Sequence, residues 1–245
     1  MNKKFLLLII LPLFLGMSCA GLPRFALPLQ KVKIIEYPPL DWSINGQRLK
    51  DLGCAGNLSQ SCPELFALGC TEITTPSFYL GGLQPPYPIV ECIHANGTPA
   101  DPTYFRQTAG LDSRYRSFVV LQEGEARLLI KKQQFQQLFA PVESAEEAIS
   151  YAMAMTSLSA RNDLDPNADL DYLVEMIQET HVEQVSDGYI VYLFDTDRQM
   201  GCGKHSFYAV TVHVKPEGEV QEITRHEIYR SYACFDFEAL SLDSE

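Results

Sequence analysis

The sequence predicts an α+β fold: an antiparallel sheet meander with helices packed on one side, preceded by an irregular disulfide-stapled region. Three observations predict it. Residues 111–237 alternate between helical and strand periodicity, with strand pairs separated by turn residues, the order expected of helices covering an antiparallel sheet. Residues 32–110 are crowded with proline, glycine and turn dipeptides and hold few periodic runs. Four of the seven cysteines, Cys54, Cys62, Cys70 and Cys92, fall in that same irregular stretch.

The chain begins "MNKKFLLLIILPLFLGMSCAG". Lys3 and Lys4 precede an apolar run, Phe5 to Leu15, broken only by Pro12. As a helix rising 1.5 Å per residue, that run is too short for the ~30 Å of a bilayer core. Such a run between a basic start and small residues reads as an export signal. "LGMSC" resembles the lipobox of bacterial lipoprotein signals, with the small Ser18 before Cys19; Gly16 stands where the family prefers an aliphatic residue. The resemblance covers residues 1–19 alone. It implies removal of residues 1–18, lipidation of Cys19, and a tether over residues 19–31 holding the protein to the membrane through a lipid anchor, more than one chain being what stable anchoring takes. Cleavage after Ala20 is the other reading, and gives a soluble secreted protein. Either cut removes Cys19 from the disulfide pool.

Six cysteines then remain, an even number that argues for three disulfides in an exported chain. Position favours Cys202 with Cys234, and Cys54–Cys62 with Cys70–Cys92; Cys54–Cys70 with Cys62–Cys92 is the rival arrangement. Within residues 32–110, "CPELFALGC" predicts a short helix with Pro63 at its first position, and "PIVECI" a strand. Asn57-Leu58-Ser59 and Asn96-Gly97-Thr98 match the glycosylation acceptor pattern, which a bacterial-type leader makes a matter of chance.

From Arg114 the periodicity sharpens. "RSFVVLQEGEARLLI" reads as two strands about Glu123-Gly124-Glu125. "KKQQFQQLFAPV" reads as a short helix ending before Pro141. "ESAEEAISYAMAMTSL" is the clearest helix, with Ser144 and Glu147 as a capping box and Ala148, Ile149, Ala152 and a methionine on one apolar face. "LDYLVEMIQE" places Leu170, Leu173, Val174 and Ile177 at helical spacing. "HVEQVSDGYIVYLFD" reads as a hairpin turning at Ser186-Asp187-Gly188. "SFYAVTVHVKPEGEVQEITRHEIYR" reads as a second, turning over Pro216 to Glu219, with Tyr208, Val210, Val212 and Val214 on one face. Residues 238–245 form a tail. The element order is similar to that of cystatin-like rolls, a likeness of order without a motif.

The comb Asp163, Asp165, Asn167, Asp169, Asp171 has the alternate oxygens of a calcium loop. Ala168 stands where that loop needs glycine, and Val174 where it needs glutamate. A helix beginning near Asp165-Pro166, with carboxylates at its positive end, is the stronger reading. Cys202 and His205 in "MGCGKHSF" have the chemistry of a nucleophile and base, but a Cys202–Cys234 bridge competes. His213 and His226 share a hairpin at a register that keeps them apart, and "HEIYR" lacks the second histidine of a zinc helix. No close C-x-x-C pairs, phosphate loop, dinucleotide fingerprint or G-x-S-x-G occurs. With a formal charge of −12 and no basic cluster, phosphate-backbone binding has no electrostatic footprint, so nucleic acid is not an expected partner. No cofactor and no metal site is expected. The sequence therefore points to an exported envelope lipoprotein acting as a non-enzymatic binding or structural module, with Tyr79 and Tyr87 in "LGGLQPPYPIVE" as either contact residues or core cover. A secreted hydrolase and a protease-inhibitor-like module with a protruding hairpin are the alternatives.

Overall fold

In the computed structural model, residues 42–51, 54, 62–74, 76–95, 102–105, 114–161, 170–197, 201–232 and 234–235 are described. The leader with Cys19, the tether, both glycosylation patterns, most of the acidic comb and the tail lie outside them. Two helices open the described chain, α1 (Trp42–Asp51) and α2 (Pro63–Ala67), followed by β1 (Glu72–Thr74), a 3₁₀ helix (Phe78–Gly82) and β2 (Ile89–Ala95). Then come β3 (Arg114–Gln122), β4 (Glu125–Leu129), α3 (Lys132–Phe139) and α4 (Ala145–Met155). The last third is strand: β5 (Asp171–Tyr172), β6 (His181–Val185), β7 (Gly188–Asp197), β8 (Gly201–Cys202), β9 (His205–Val214), β10 (Val220–Ser231) and β11 (Cys234–Phe235). No described helix is long and apolar enough to cross a membrane.

The antiparallel sheets are ordered β1-β2-β3-β4 and β5-β10-β9-β7-β6, with β8 and β11 as a separate pair. Mostly strand with a few helices, the fold is α+β in the broad sense. The division at residues 110 and 111 does not separate two bodies, because β2 pairs with β3 from Ile89↔Val120 to Ala95↔Arg114. "RSFVVLQ" is a near-continuous apolar run because both faces of this sheet are covered. Ile89, Phe118, Val120 and Leu129 belong to the main core, whereas Val90, Cys92, Val119 and Leu121 face a second core under the disulfides with Cys54, Cys62, Leu65 and Ile73. Period-two alternation thus sends neighbouring residues into different cores.

The helix α3 ends where proline dictates. Ala140 precedes Pro141 and has left helical geometry (φ −89°, ψ 150°), since a following proline ring crowds the helical conformation. Ser144 caps α4 by accepting the Glu147 N–H at 3.1 Å, and the Glu147 carboxylate reaches back to the Glu143 N–H at 2.8 Å. One apolar face on α4 is the sequence expectation; in the structure every residue from Glu147 to Met155 is buried. The helix does not lie on the outside of a single sheet. It contacts β6, β7 and β9 on one side and the 3₁₀ helix on another, so closely that a Cβ on Gly82 would meet the Glu146 carbonyl and, at 2.7 Å, Ser150 Oγ. A cluster of tilted aromatic rings links it to the first sheet: Phe135 lies 5.6 Å from Tyr151 and 5.3 Å from Phe118, ring centre to ring centre. Small residues at 148, 152 and 154 let neighbours approach from all sides, and alternating large ones fill the gaps.

At its C-terminus, α4 is held by β3. The Arg116 guanidinium donates to the carbonyls of Ala154 (3.2 Å), Met153 (3.4 Å) and Thr156, where the helix dipole favours a cation. Its other nitrogen pairs with the Glu91 carboxylate at 3.4 Å. Burial holds Glu91 above its ordinary pKa, with Arg116 opposing.

The helix expected over residues 170–177 is corrected by the structure. Asp171 and Tyr172 instead form β5, paired with Arg230 and Tyr229 of β10, and Leu173 is 41 % exposed. Leu170, Tyr172 and Val174 pack together against Ile177, Phe194, Phe207, Ile228 and Tyr229. Those three positions alternate as in a strand, and the edge of β10 offers the backbone bonds that a helix would have supplied internally.

Candidate functional site

The six described cysteines form three disulfides, Cys54–Cys62, Cys70–Cys92 and Cys202–Cys234. Such bonds suggest an oxidising, exported environment. The last of them occupies Cys202, and His205 is 1 % exposed, so this pair does not form an accessible nucleophile and base. His213 pairs with Gln221 and His226 with Ala209, which leaves the two histidines well apart on their hairpin. Among the described residues, no group of three or more His, Cys, Asp or Glu side chains could hold a metal ion. Tyr79 and Tyr87 are half-buried against the main core, Tyr87 with its ring 6.3 Å from Phe139; they act as cover.

A serine–histidine contact that the sequence did not reveal lies on the disulfide face of the first sheet. His94 Nε2 is 2.7 Å from Ser117 Oγ and 3.3 Å from Cys92 Sγ, and its ring stacks on Tyr115 at 4.4 Å. Burial lowers the His94 pKa, with a hydrogen bond to the Gly69 backbone opposing. The pair resembles a nucleophile and its base, yet Ser117 is 0 % exposed and its hydroxyl also reaches the Cys92 carbonyl at 3.2 Å. No substrate carbonyl can approach it, so the contact satisfies buried polar groups. Only the β2–β3 register brings these residues together, and no sequence spacing records it.

An accessible hollow lies on the outer face of the five-stranded sheet. Two cross-strand rows form its floor. Tyr192 and Thr211 are neighbours in one; Phe194, Ala209 and His226 in the other. The small Ala209 leaves a depression between Phe194 and His226. Met176, Ile177 and Gln178, in the segment after β5, make one wall, and Ile228 contributes to another. The cavity measures about 160 Å³. Met176 is 49 % exposed at its rim, whereas Ile177 is buried. Beside it, His181 stacks on Tyr192 at 4.0 Å with the rings 9° apart, and Tyr192 donates to Glu183 at 3.3 Å. Burial raises the Tyr192 pKa, as does that carboxylate.

A larger open hollow runs along Gln122 to Leu128, but among the described residues a single hairpin lines it and nothing converges there. The hairpin turn at Pro216–Glu219 is docked instead of protruding. Tyr151 donates to the Gly218 carbonyl at 3.1 Å, Gln136 to that of Glu217 at 2.7 Å, and the Val142 N–H to that of Pro216 at 2.8 Å.

No known protein family, curated protein or solved structure matches this chain.

Proposed function

We propose that this chain is an exported cell-envelope lipoprotein, anchored through Cys19, whose folded part is a non-enzymatic binding module. The observation that carries the binding reading is the hollow on the outer sheet face, where two strand rows and the Met176–Gln178 wall converge. Convergence of several elements on an apolar concavity with a few polar groups is the usual form of a ligand site. Chemistry has less support: the Cys202–Cys234 bond removes the thiol that a Cys–His hydrolase would use, and Ser117 is sealed. A protease-inhibitor-like module needs a projecting loop, and the Pro216–Glu219 turn is tied to α3 and α4.

Intact mass of the mature protein, with and without reductant, tests the export and anchoring reading. The expected result is a chain starting at Cys19 with diacylglycerol and an N-acyl chain, and six thiols alkylated only after reduction. A chain starting after Ala20 would overturn the anchor while leaving export intact. Five or six thiols free without reductant would overturn the disulfide-stapled reading.

A further inference from the structure

We propose that the free edge of β4 pairs with the same edge of a second copy of this chain, antiparallel about a two-fold axis at Ala126. Glu125 then faces the partner's Arg127, and Arg127 the partner's Glu125. This surface is separate from the hollow over Ala209, and the inference goes beyond the proposed function without resting on it.

The phase of the β3–β4 ladder carries the argument. Its turn has two residues, Glu123 and Gly124, at φ 54° and 89°, the backbone of a type I′ hairpin. Such a turn makes Gln122 and Glu125 exchange both hydrogen bonds, and bonded and unbonded pairs then alternate along the strands. Ala126 and Leu128 fall in unbonded pairs, opposite Leu121 and Val119, so their N–H and C=O groups point away from β3. Leu121 agrees: its N–H turns from β4 and donates to the Pro88 carbonyl at 2.9 Å. Among the described residues β4 ends its sheet, with β3 as its one neighbouring strand, and the hollow from Gln122 to Leu128 lies along it. The open stretch stops at Ile130, whose N–H is taken by Gln134 Oε1 at 2.9 Å, and at Lys131, which bridges to Tyr104.

Charge and register select the occupant. An antiparallel partner must set outward-facing residues opposite one another, and a two-fold axis then leaves three registers on this stretch. Centred on Leu128, the overlap runs into Ile130, whose donor is already used. Centred on Arg127, it sets two guanidinium groups side by side, which is unfavourable. Centred on Ala126, the overlap covers residues 124–128 and stops short of the covered end. Ala126 exchanges two backbone hydrogen bonds with the partner's Ala126, and its small side chain leaves the axis clear. Glu125 and Arg127 are both exposed, and each meets the opposite charge across the axis. Charges on an edge strand usually guard it against pairing; opposite signs placed on either side of one alanine favour a second copy instead.

Sedimentation of the mature, disulfide-intact protein without acyl chains, from about 20 µM to about 1 mM, tests the pairing. A monomer–dimer equilibrium with Kd on the order of 0.3 mM is expected, weak because five paired residues make far less than a standard interface. Over the same range the Ala126 amide is expected to gain protection from hydrogen exchange. Arg127→Glu and Glu125→Arg each set like charges against one another twice, and each is expected to weaken the dimer about tenfold or more. Both positions are exposed, so folding is not at stake. The double variant, Glu125→Arg with Arg127→Glu, restores both pairs and is expected to return Kd to within about threefold of the parent value. A protein that stays monomeric throughout would overturn the inference. An Ala126 amide already protected at the lowest concentration would overturn it too, by showing that another part of the chain covers the edge. Dimers indifferent to the single reversals would overturn β4 as the contact, and a double variant no better than the single ones would overturn the register.

Discussion

The docked turn between β9 and β10 provides a quantitative test of how the second sheet is tied to the helices. Gly218 has φ +83°, and a Cβ added there would lie 2.5 Å from the Tyr151 hydroxyl. Gly218→Ala should therefore cost about 1–2 kcal/mol for the left-handed backbone and about 1–3 kcal/mol more for the overlap. Tyr151→Phe removes the hydroxyl and leaves the Gly218 carbonyl without its donor, a loss of about 2 kcal/mol. In the double variant the overlapping atom is gone and the carbonyl has already lost its partner. The combined cost should then be about 3–4 kcal/mol, where simple addition gives about 4–7 kcal/mol. Urea unfolding of the four proteins, disulfides intact and m-values unchanged, measures this cycle. Additivity within about 0.5 kcal/mol would refute the claim that the two sites touch.

Three further outcomes follow from other parts of the molecule. Burial, chiefly, raises the Glu147 carboxyl above the ordinary carboxylate range, Glu143 adding to the rise and backbone N–H groups opposing it; its contribution to stability is then fully present below the unfolded value and lost as pH rises through the folded one. Glu147→Gln should flatten that part of the stability–pH curve, and a difference profile between variant and parent that stays level from pH 4 to 7 would contradict it. Cys202 and Cys234 are exposed whereas Cys62 and Cys92 are each 0 % exposed, so a mild dithiol followed by alkylation and mass mapping should label 202 and 234 first; prior labelling of Cys70 and Cys92 would oppose this. Permanent removal of the Cys202–Cys234 bridge, which spans 32 residues, should cost about 4 kcal/mol in thermal or urea unfolding, against about 2.5 kcal/mol for the 8-residue Cys54–Cys62 bridge, as loop-closure entropy scales with length. The reverse order would show that native strain or packing decides.

Much of the strand pattern was legible because turns punctuate it. Glu123-Gly124, Ser186-Asp187 and Pro216–Glu219 each separate strands that pair directly, and the Ser144 cap and Pro141 mark helix ends that a reader of residues alone can find. Two things were not legible. "LDYLVEMIQE" fits helical and alternate spacing at once, and only the free edge of β10 settles between them. The apolar face assigned to α4 hid its real environment, since alanines at 148, 152 and 154 read equally well as an exposed helix former or as the lining of a tight passage. The hollow over Ala209 was invisible for a related reason. It depends on which residues sit beside Ala209 on neighbouring strands, and Phe194 and His226 are remote from it in sequence. The cysteines were more informative, because clustering in sequence limits which partners lie within reach.

The central position of α4 has a consequence for how the chain matures. The first sheet is built from consecutive strands and can form soon after residue 129, yet its inner face of Ile89, Phe118, Val120 and Leu129 is then open. The covering helix comes next, but α4 needs β7 and β9 to bury its other side, and those end at Val214. Until most of the chain has been made, the partly folded chain carries an unfilled greasy surface. Shortened chains ending before β9 should therefore accumulate as aggregates and not as a stable half-molecule.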